Sequence, residues 1–246
     1  MQVDTIYNEE CLEGMNRIDD HSIDMILCDL PYGTTACKWD IIIPFEPLWK
    51  QYKRVIKKGG AIVLFGSEPF SSHLRLSNIK DYKYDWIWNK KLAGNGILAK
   101  KQPLKIHEIV SVFNSSVYIP QKEIRGKPRV KLTNNLKVSE INNGDGIKRA
   151  NETYNNEYYP TSIQEFTLAN LRRGRLHPTQ KPVALMEYLI RTYTNEGEVV
   201  LDNCIGSGTT AIAAINTNRH YVGYELDALY YQVAIERIQK HGSTRV

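Results

Sequence analysis

Ile23-Asp24-Met25-Ile26-Leu27-Cys28-Asp29-Leu30-Pro31-Tyr32 is a short, mostly apolar run that stops at an acidic residue and a proline. A run of that length bounded by a turn former reads as a buried strand, and Pro31 has no N–H with which to extend a sheet ladder. The tetrapeptide Asp29 to Tyr32 is therefore expected at the carboxyl end of a strand. On the amino-terminal side, Val3 to Tyr7 predicts another strand and Glu10 to Ile18 a helix. On the other side, Phe45, Leu48, Trp49, Tyr52, Val55 and Ile56 recur at three- and four-residue spacing, which predicts an amphipathic helix ending at Gly59-Gly60. Ala61 to Phe65 then reads as a buried strand. The order βαβαβ specifies a parallel sheet with right-handed crossovers, and such sheets bind ligands beyond the carboxyl ends of their strands.

Further along, Ser71 to Ile79 predicts a helix, and Tyr84 to Trp88 and Ile109 to Phe113 predict two strands. The alternation then fails. From Asn114 to about Arg175 the chain is rich in Asn, Lys, Arg, Tyr and Gly, with Asn142-Asn143-Gly144-Asp145-Gly146 near its middle, and is read as a recognition segment without regular structure. Regular alternation resumes with a helix over Val183 to Thr192 that starts after Pro182. A strand at Val199 to Leu201, a helix at Thr209 to Thr217, a strand at His220 to Tyr224 and a helix at Ala228 to Lys240 follow. With no internal repeat or linker, residues 1–246 read as one domain carrying one insertion at roughly 114–176.

The 246 residues, 42% hydrophobic, suffice for one large α/β domain. No signal-peptide pattern and no apolar run long enough to span a bilayer is present, so a soluble, intracellular protein without a membrane partner is expected. Cys11, Cys28, Cys37 and Cys204 form no CxxC pair and the six histidines are scattered, which favours reduced thiols and no metal. The net charge of +5 is unevenly spread: Asn89 to Leu176 holds 16 Lys/Arg against 7 Asp/Glu, or +9, and the remainder is −4. A basic third of this kind suits a polyanion, although a solvated basic surface is the plainer alternative.

Asp202-Asn203-Cys204-Ile205-Gly206-Ser207-Gly208-Thr209 lies between a predicted strand and a helix. Glycines there let the backbone pass close beneath a ligand, and the helix start beyond offers free amides. Such turns also occur for steric reasons alone. The next strand ends in Glu225, placed to accept hydrogen bonds from ribose hydroxyls, so the two together suggest a nucleoside site. A dinucleotide is less well served, because the third glycine of its signature is replaced by Ala211.

Taken in order, Asp29-Leu30-Pro31-Tyr32, the Gly206-Ser207-Gly208 loop and Glu225 resemble the amino-methyltransferase family of DNA-modifying enzymes, whose tetrapeptide is usually DPPY and whose cofactor loop usually reads DPFxGSGTT. The catalytic motif precedes the cofactor loop, with the basic region between them, as in the circularly permuted β class. Glu10-Cys11-Leu12 resembles the family's segment near the cofactor adenine, and Trp88-Asn89-Lys90 its second aromatic strand motif. His177-Pro178-Thr179-Gln180-Lys181-Pro182 resembles its motif contacting methionine. Two departures stand out. Leu30 replaces a proline at a position that contributes its carbonyl, and Asn203-Cys204 replaces Pro-Phe, removing an aromatic wall for which Tyr193 or Tyr224 could substitute.

The resemblance implies a Rossmann-like S-adenosylmethionine-dependent methyltransferase fold, with a mostly parallel seven-stranded sheet and helices on both faces. It implies S-adenosylmethionine as cofactor, double-stranded DNA as substrate, and adenine N6 as the target, since cytosine-N4 relatives usually carry Ser in place of Asp29. Cytosine-N4 methylation and a catalytically inactive DNA-binding relative are the alternatives. The resemblance also implies a cytoplasmic location, as a bacterial protein or a viral protein in a bacterial host; a homodimer and a cognate restriction endonuclease are candidate partners. By the resemblance, Asp29, Leu30, Pro31 and Tyr32 are catalytic. The cofactor falls to Glu10, Cys11, Asp29, His177, Thr179, Gln180, Lys181, Asp202, Cys204, Gly206, Ser207, Gly208, Thr209 and Glu225. Candidates for DNA contact are Lys38, Trp39, Trp88, Lys90, Arg172, Arg173 and Arg175, with core packing an equal alternative for the two tryptophans.

Overall fold

The computed structural model describes residues 1–34, 40–131, 153–167 and 180–243, with 127–131 and 153–155 described by backbone alone. In chain order its elements are β1 (Thr5–Tyr7), α1 (Cys11–Met15), β2 (Ile23–Cys28), α2 (Phe45–Val55), β3 (Ile56–Gly66), α3 (Phe70–Ser77), β4 (Tyr82–Asn89) and β5 (His107–Phe113). Then come β6 (Glu123–Lys131), β7 (Thr153–Tyr158), β8 (Ile163–Glu165), α4 (Val183–Tyr193), β9 (Val199–Asp202), α5 (Thr209–Asn216), β10 (His220–Tyr224) and α6 (Ala228–Ser243). A short 3-10 turn covers Gly96–Leu98.

Eight strands form one sheet in the order β1-β10-β9-β2-β3-β5-β4-β8. All neighbours are parallel except β5, which runs antiparallel to both β3 and β4. The sheet has one strand more than expected because Ile163–Glu165, inside the stretch read as insertion, pairs with β4. Two apolar layers cover its faces. Leu48, Trp49, Tyr52 and Val55 of α2 pack with α1 and α3 residues on one side; Leu185, Leu189, Ala211 and Ala234 of α4, α5 and α6 pack on the other. Each such large side chain contributes about 1.5–3 kcal/mol of burial.

Helix α2 does not run to the glycine pair. It ends at Val55, and Gly59 and Gly60 lie within β3. Gly59 has φ +79°, and a Cβ at Gly60 would stand 2.6 Å from the Asp24 carbonyl. The glycines therefore serve a close, irregular approach of β3 to β2, whose register shifts between Ile23 and Met25.

Residues 120–160 make a separate compact unit. Its antiparallel strands β6 and β7 pair Glu123 with Tyr158 and Lys131 with Thr153, so part of the stretch expected to lack regular structure is regular after all. Lys122 and Arg125 sit over the Tyr159 and Tyr158 rings, at 5.5 and 5.9 Å from the centroids. Asn142 to Gly146 lies outside the described residues.

The connections decide where a ligand can bind. From β9 the chain goes through α5 to β10 on one side, whereas from β2 it goes through α2 to β3 on the other. The strand order thus reverses between β9 and β2, and in open sheets that switch point opens a crevice at the carboxyl ends. Asp202 closes β9 and Asp29 follows β2.

Candidate active site

A cavity of about 830 Å³ occupies that crevice. Its wall carries Glu10, Cys11, Asp29 to Tyr32, Trp88, Lys90, Glu108, Gln180, Lys181, Asp202 to Ser207, Thr209 and Glu225. The tetrapeptide is fixed by a residue 8 positions downstream of its tyrosine. Asp40 Oδ1 accepts from the Tyr32 and Gly33 amides at 2.8 and 2.9 Å, and Oδ2 from the Thr34 amide at 2.9 Å. Three backbone donors on one carboxylate hold the turn, so Asp40 acts as a positioning residue. The Tyr32 ring packs at 5.0 Å from Phe70, and its hydroxyl donates to Asp29 Oδ1 at 2.5 Å. Among the described residues, no hydrogen bond is made to the Leu30 carbonyl.

Asp29 is also the end of a chain of charges. Lys181 Nζ lies 2.6 Å from Asp29 Oδ2 and 3.1 Å from Glu108 Oε2, and Lys90 Nζ lies 3.0 Å from Glu108 Oε1. Two cations and two carboxylates balance, which is what allows four ionic groups to be buried together. Burial raises the Asp29 pKa despite Lys181, with the Glu108 charge adding to the rise. For Glu108 the burial penalty is outweighed by Lys181 and Lys90, which hold its carboxyl below the usual range. Lys181 is pushed up, its burial overcome by Asp29 and Glu108. The Asp29 side chain still keeps 19% of its surface open, on the cavity wall, so a ligand can reach it.

Across the cavity, Gly206 and Gly208 have φ +54° and +78°, the left-handed region that favours glycine. A Cβ on Gly208 would also press on Ala234 Cβ at 3.2 Å. Glu225 Oε2 accepts from the Gly206 amide at 2.9 Å and Oε1 from the Asp227 amide at 2.8 Å, and burial raises its pKa. Arg237 Nη1 of α6 donates to the Ser207 carbonyl at 3.0 Å and to Thr209 Oγ1 at 2.9 Å, tying the loop down from outside. Asp202 accepts from the Cys204 amide at 3.1 Å and from the Thr210 hydroxyl, and burial pushes its pKa up to about 6. A glycine cradle, an acidic strand end and a cavity of this size fit a nucleoside with a charged tail.

Asn203 takes the place of the family's usual proline, and Cys204 that of its aromatic residue. Asn203 is buried, accepts from Tyr52 Oη at 2.5 Å, and donates toward Cys11 and Cys204 sulfurs at 3.5 Å. Neither proposed substitute reaches the cavity: Tyr193 bonds with Trp86 and Tyr84, and Tyr224 donates to the Gly14 carbonyl and stacks on Tyr7. Cys11, Cys28 and Cys204 are free thiols. Burial pushes Cys28 up to about 12, and contact with Cys204 together with burial raises Cys11, so both stay protonated.

Trp88 is buried, edge-on to Phe65 at 6.4 Å, and donates its Nε1 proton to the Phe166 carbonyl at 2.8 Å while touching the cavity. Lys90 faces the cavity as part of the charge chain. His177, Thr179, Lys38, Trp39, Arg172, Arg173 and Arg175 lie outside the described residues. Sequence reasoning missed Glu108, Asp40 as a positioning residue, and Arg237. Only Asp40 left a trace, as an acidic residue soon after the tetrapeptide. Among the described residues, no cluster of ligands able to hold a metal occurs, and no helix is long and apolar enough to cross a membrane.

Comparison with known proteins bears on the fold and the family. The type II methyltransferase M.HpaI of Haemophilus parainfluenzae is 28% identical over 241 residues, covering 92% of this chain and 71% of that protein. The DNA adenine methyltransferase YhdJ of Escherichia coli (strain K12) is 26% identical over 258 residues, covering 95% and 82%. Among solved structures, M1.HpyAVI in complex with SAM matches with TM-score 0.63 and 21% identity over 95% of this chain and 98% of that one. The cytosine-N4-specific PvuII DNA methyltransferase matches with TM-score 0.64 and 16% identity over 95% and 85%. These likenesses establish the methyltransferase fold. A family model described as DNA methylase matches residues 23–236, and the chain is a member of that N6/N4 DNA methylase family.

Proposed function

We propose that the protein methylates adenine N6 of a base flipped out of double-stranded DNA, with S-adenosylmethionine as donor. The observation that carries this reading is the meeting of Asp29 and Leu30 with Gly206, Ser207, Thr209 and Glu225 on one cavity. S-adenosylmethionine supplies an electrophilic methyl group on a sulfonium. Glu225 would take the ribose hydroxyls and Glu10 and Cys11 would flank the adenine. Gly206 to Thr209, Asp202 and Cys204 would line the cradle, with Gln180 and Lys181 toward the methionine end.

An exocyclic amine is a poor nucleophile because its lone pair is delocalised into the ring. Asp29 accepts one amino hydrogen and the Leu30 carbonyl the other, which localises the lone pair and aims it. Each Asp29 oxygen already holds one donor, Tyr32 or Lys181, and a carboxylate oxygen has a second lone pair for the amine. Positioning supplies much of the acceleration, and the carboxylate stabilises charge that develops on nitrogen. The raised pKa of Asp29 suits it to take the proton that the amine then sheds. Flipping costs roughly a few kcal/mol; stacking on Tyr32, about 1–3 kcal/mol per base, offsets much of it.

The aspartate at the head of the tetrapeptide and the adenine specificity carried in the name of YhdJ favour adenine over cytosine. The test is incubation of DNA with methyl-labelled cofactor, digestion to nucleosides and sequencing of the modified sites. Label in N6-methyladenine is expected. Label in N4-methylcytosine overturns the base assignment. Absence of transfer together with absence of calorimetric binding of S-adenosylmethionine overturns the enzyme reading in favour of a DNA-binding relative. Asp29→Ala should bind cofactor and DNA yet transfer no methyl.

A further inference from the structure

Between β4 and β5 the chain leaves the cavity rim and returns to it: Leu92, Ala93, Gly94 and Lys105 line the cavity, and residues 95–104 lie beyond that lining. Hydrogen bonds within the loop order it. Asn95 Nδ2 donates to the Pro103 carbonyl at 3.1 Å, and its Oδ1 accepts from the Lys105 amide at 2.7 Å. The Leu98 amide donates to the Asn95 carbonyl at 2.9 Å and the Lys101 amide to the Leu98 carbonyl at 2.8 Å. Yet the tip is aliphatic and bare: Ile97 is 100% exposed, and Leu98, Leu104 and Ile106 are exposed beside it. One exposed aliphatic residue needs no explanation, but several on an ordered loop beside a cavity mark a contact surface.

The charge of the loop says what it contacts. Residues 90–106 contain five lysines and no acidic residue. Lys90 and Lys91 pair with Glu108 and Glu165, whereas Lys100 and Lys101 form no ion pair among the described residues. Gly94 and Gly96 do not have positive φ, and a Cβ on either would meet nothing within 4 Å, so nothing among the described residues requires glycine there. Space at those positions suits the close approach of another molecule.

We propose that this loop is a wedge for duplex DNA: Ile97 enters the base stack where the target leaves it, and Lys100 and Lys101 neutralise flanking phosphates. The inference rests on the base-flipping reading above. A flipped base leaves a gap, and aliphatic side chains that fill such gaps stabilise the opened duplex. Ile97 acts on opening and not on transfer, because it lies outside the cavity.

The test uses the full chain and a duplex carrying the site found by sequencing, in two forms: the target base paired, or mismatched so that opening is already eased. Ile97→Ser should lower kcat/KM on the paired duplex by about tenfold or more and restore most of that loss on the mismatched one. The double variant Lys100→Ala/Lys101→Ala should weaken binding to both duplexes alike and flatten the salt dependence by roughly two phosphate contacts. Equal loss on both duplexes from Ile97→Ser, or no loss, overturns the wedge. A change of oligomeric state in light scattering without a duplex effect assigns the loop to a protein contact and also overturns it. A wild-type chain that transfers no methyl to either duplex overturns the underlying reading, an outcome recognisable because it does not depend on Ile97.

Discussion

Lys181→Met removes the cation that stands between two carboxylates. Lys181 Nζ is 2.6 Å from Asp29 and 3.1 Å from Glu108, and its side chain is 7% exposed. With an effective dielectric of about 20, those separations correspond to roughly 6 and 5 kcal/mol of Coulomb attraction. Much of this is offset by the desolvation that Met no longer incurs, and breaking one partner out of a buried network costs about 3–5 kcal/mol. The loss depends on pH with a definite sign. Burial and Glu108 already raise the Asp29 pKa, and without Lys181 it rises further. A carboxyl whose folded pKa lies above its unfolded value binds more protons when folded. Stability of the variant therefore falls as pH rises from the ordinary Asp range through the raised value. The deficit in melting temperature should be small near pH 5 and large near pH 8. Methyl transfer should fall, by about a hundredfold where Asp29 is protonated and stops accepting, with the acid limb of the pH profile displaced to higher pH. Glu108→Gln placed in the same chain should recover part of the stability, since the two carboxylates no longer face each other. Melting curves from pH 5 to 8 and pH–rate profiles measure both effects. A variant with wild-type turnover, an unmoved acid limb and a pH-independent deficit would refute the reasoning.

Other expectations follow from neighbouring groups. Asp202, pushed up to about 6, is ionised at neutral pH and lines the cavity proposed for the cationic cofactor; affinity for S-adenosylmethionine should fall as pH drops through about 6 and be flat in Asp202→Asn, read by calorimetry. The same raised pKa means that Asp202 ionisation costs stability between its ordinary range and about pH 6, a loss that Asp202→Asn removes. Glu225→Gln should weaken cofactor binding by about 1.5–3 kcal/mol, the worth of a hydrogen bond to a charged acceptor, while kcat at saturating cofactor changes little. Tyr32→Phe keeps the ring on Phe70 but loses the 2.5 Å bond to Asp29, so it should slow transfer and spare DNA binding. Tyr32→Ala should lose both, and duplex binding by gel shift separates the two.

The parallel sheet, its helices and the two motifs at strand ends were legible from sequence because they rest on local patterns. Apolar runs such as Ile23 to Cys28 and the three- and four-residue spacing from Phe45 to Val55 report burial directly, and Pro31, Gly206 and Gly208 mark turns by their backbone preferences. The glycine pair at 59 and 60 misled because the signal for a helix end is the same as that for a close strand approach, and only the Asp24 carbonyl distinguishes them. Strand β8 was hidden because three residues are too few to show a period and its partner lies 76 residues away, as in the pairing of Asn89 with Glu165. Tertiary structure alone decided the surroundings of Asp29. The sequence determined that an aspartate would close the strand at residue 29. That Lys181, 152 residues later, and Glu108 would set its charge follows from the reversal of strand order between β9 and β2, which gathers chemistry from distant segments at one edge of the sheet.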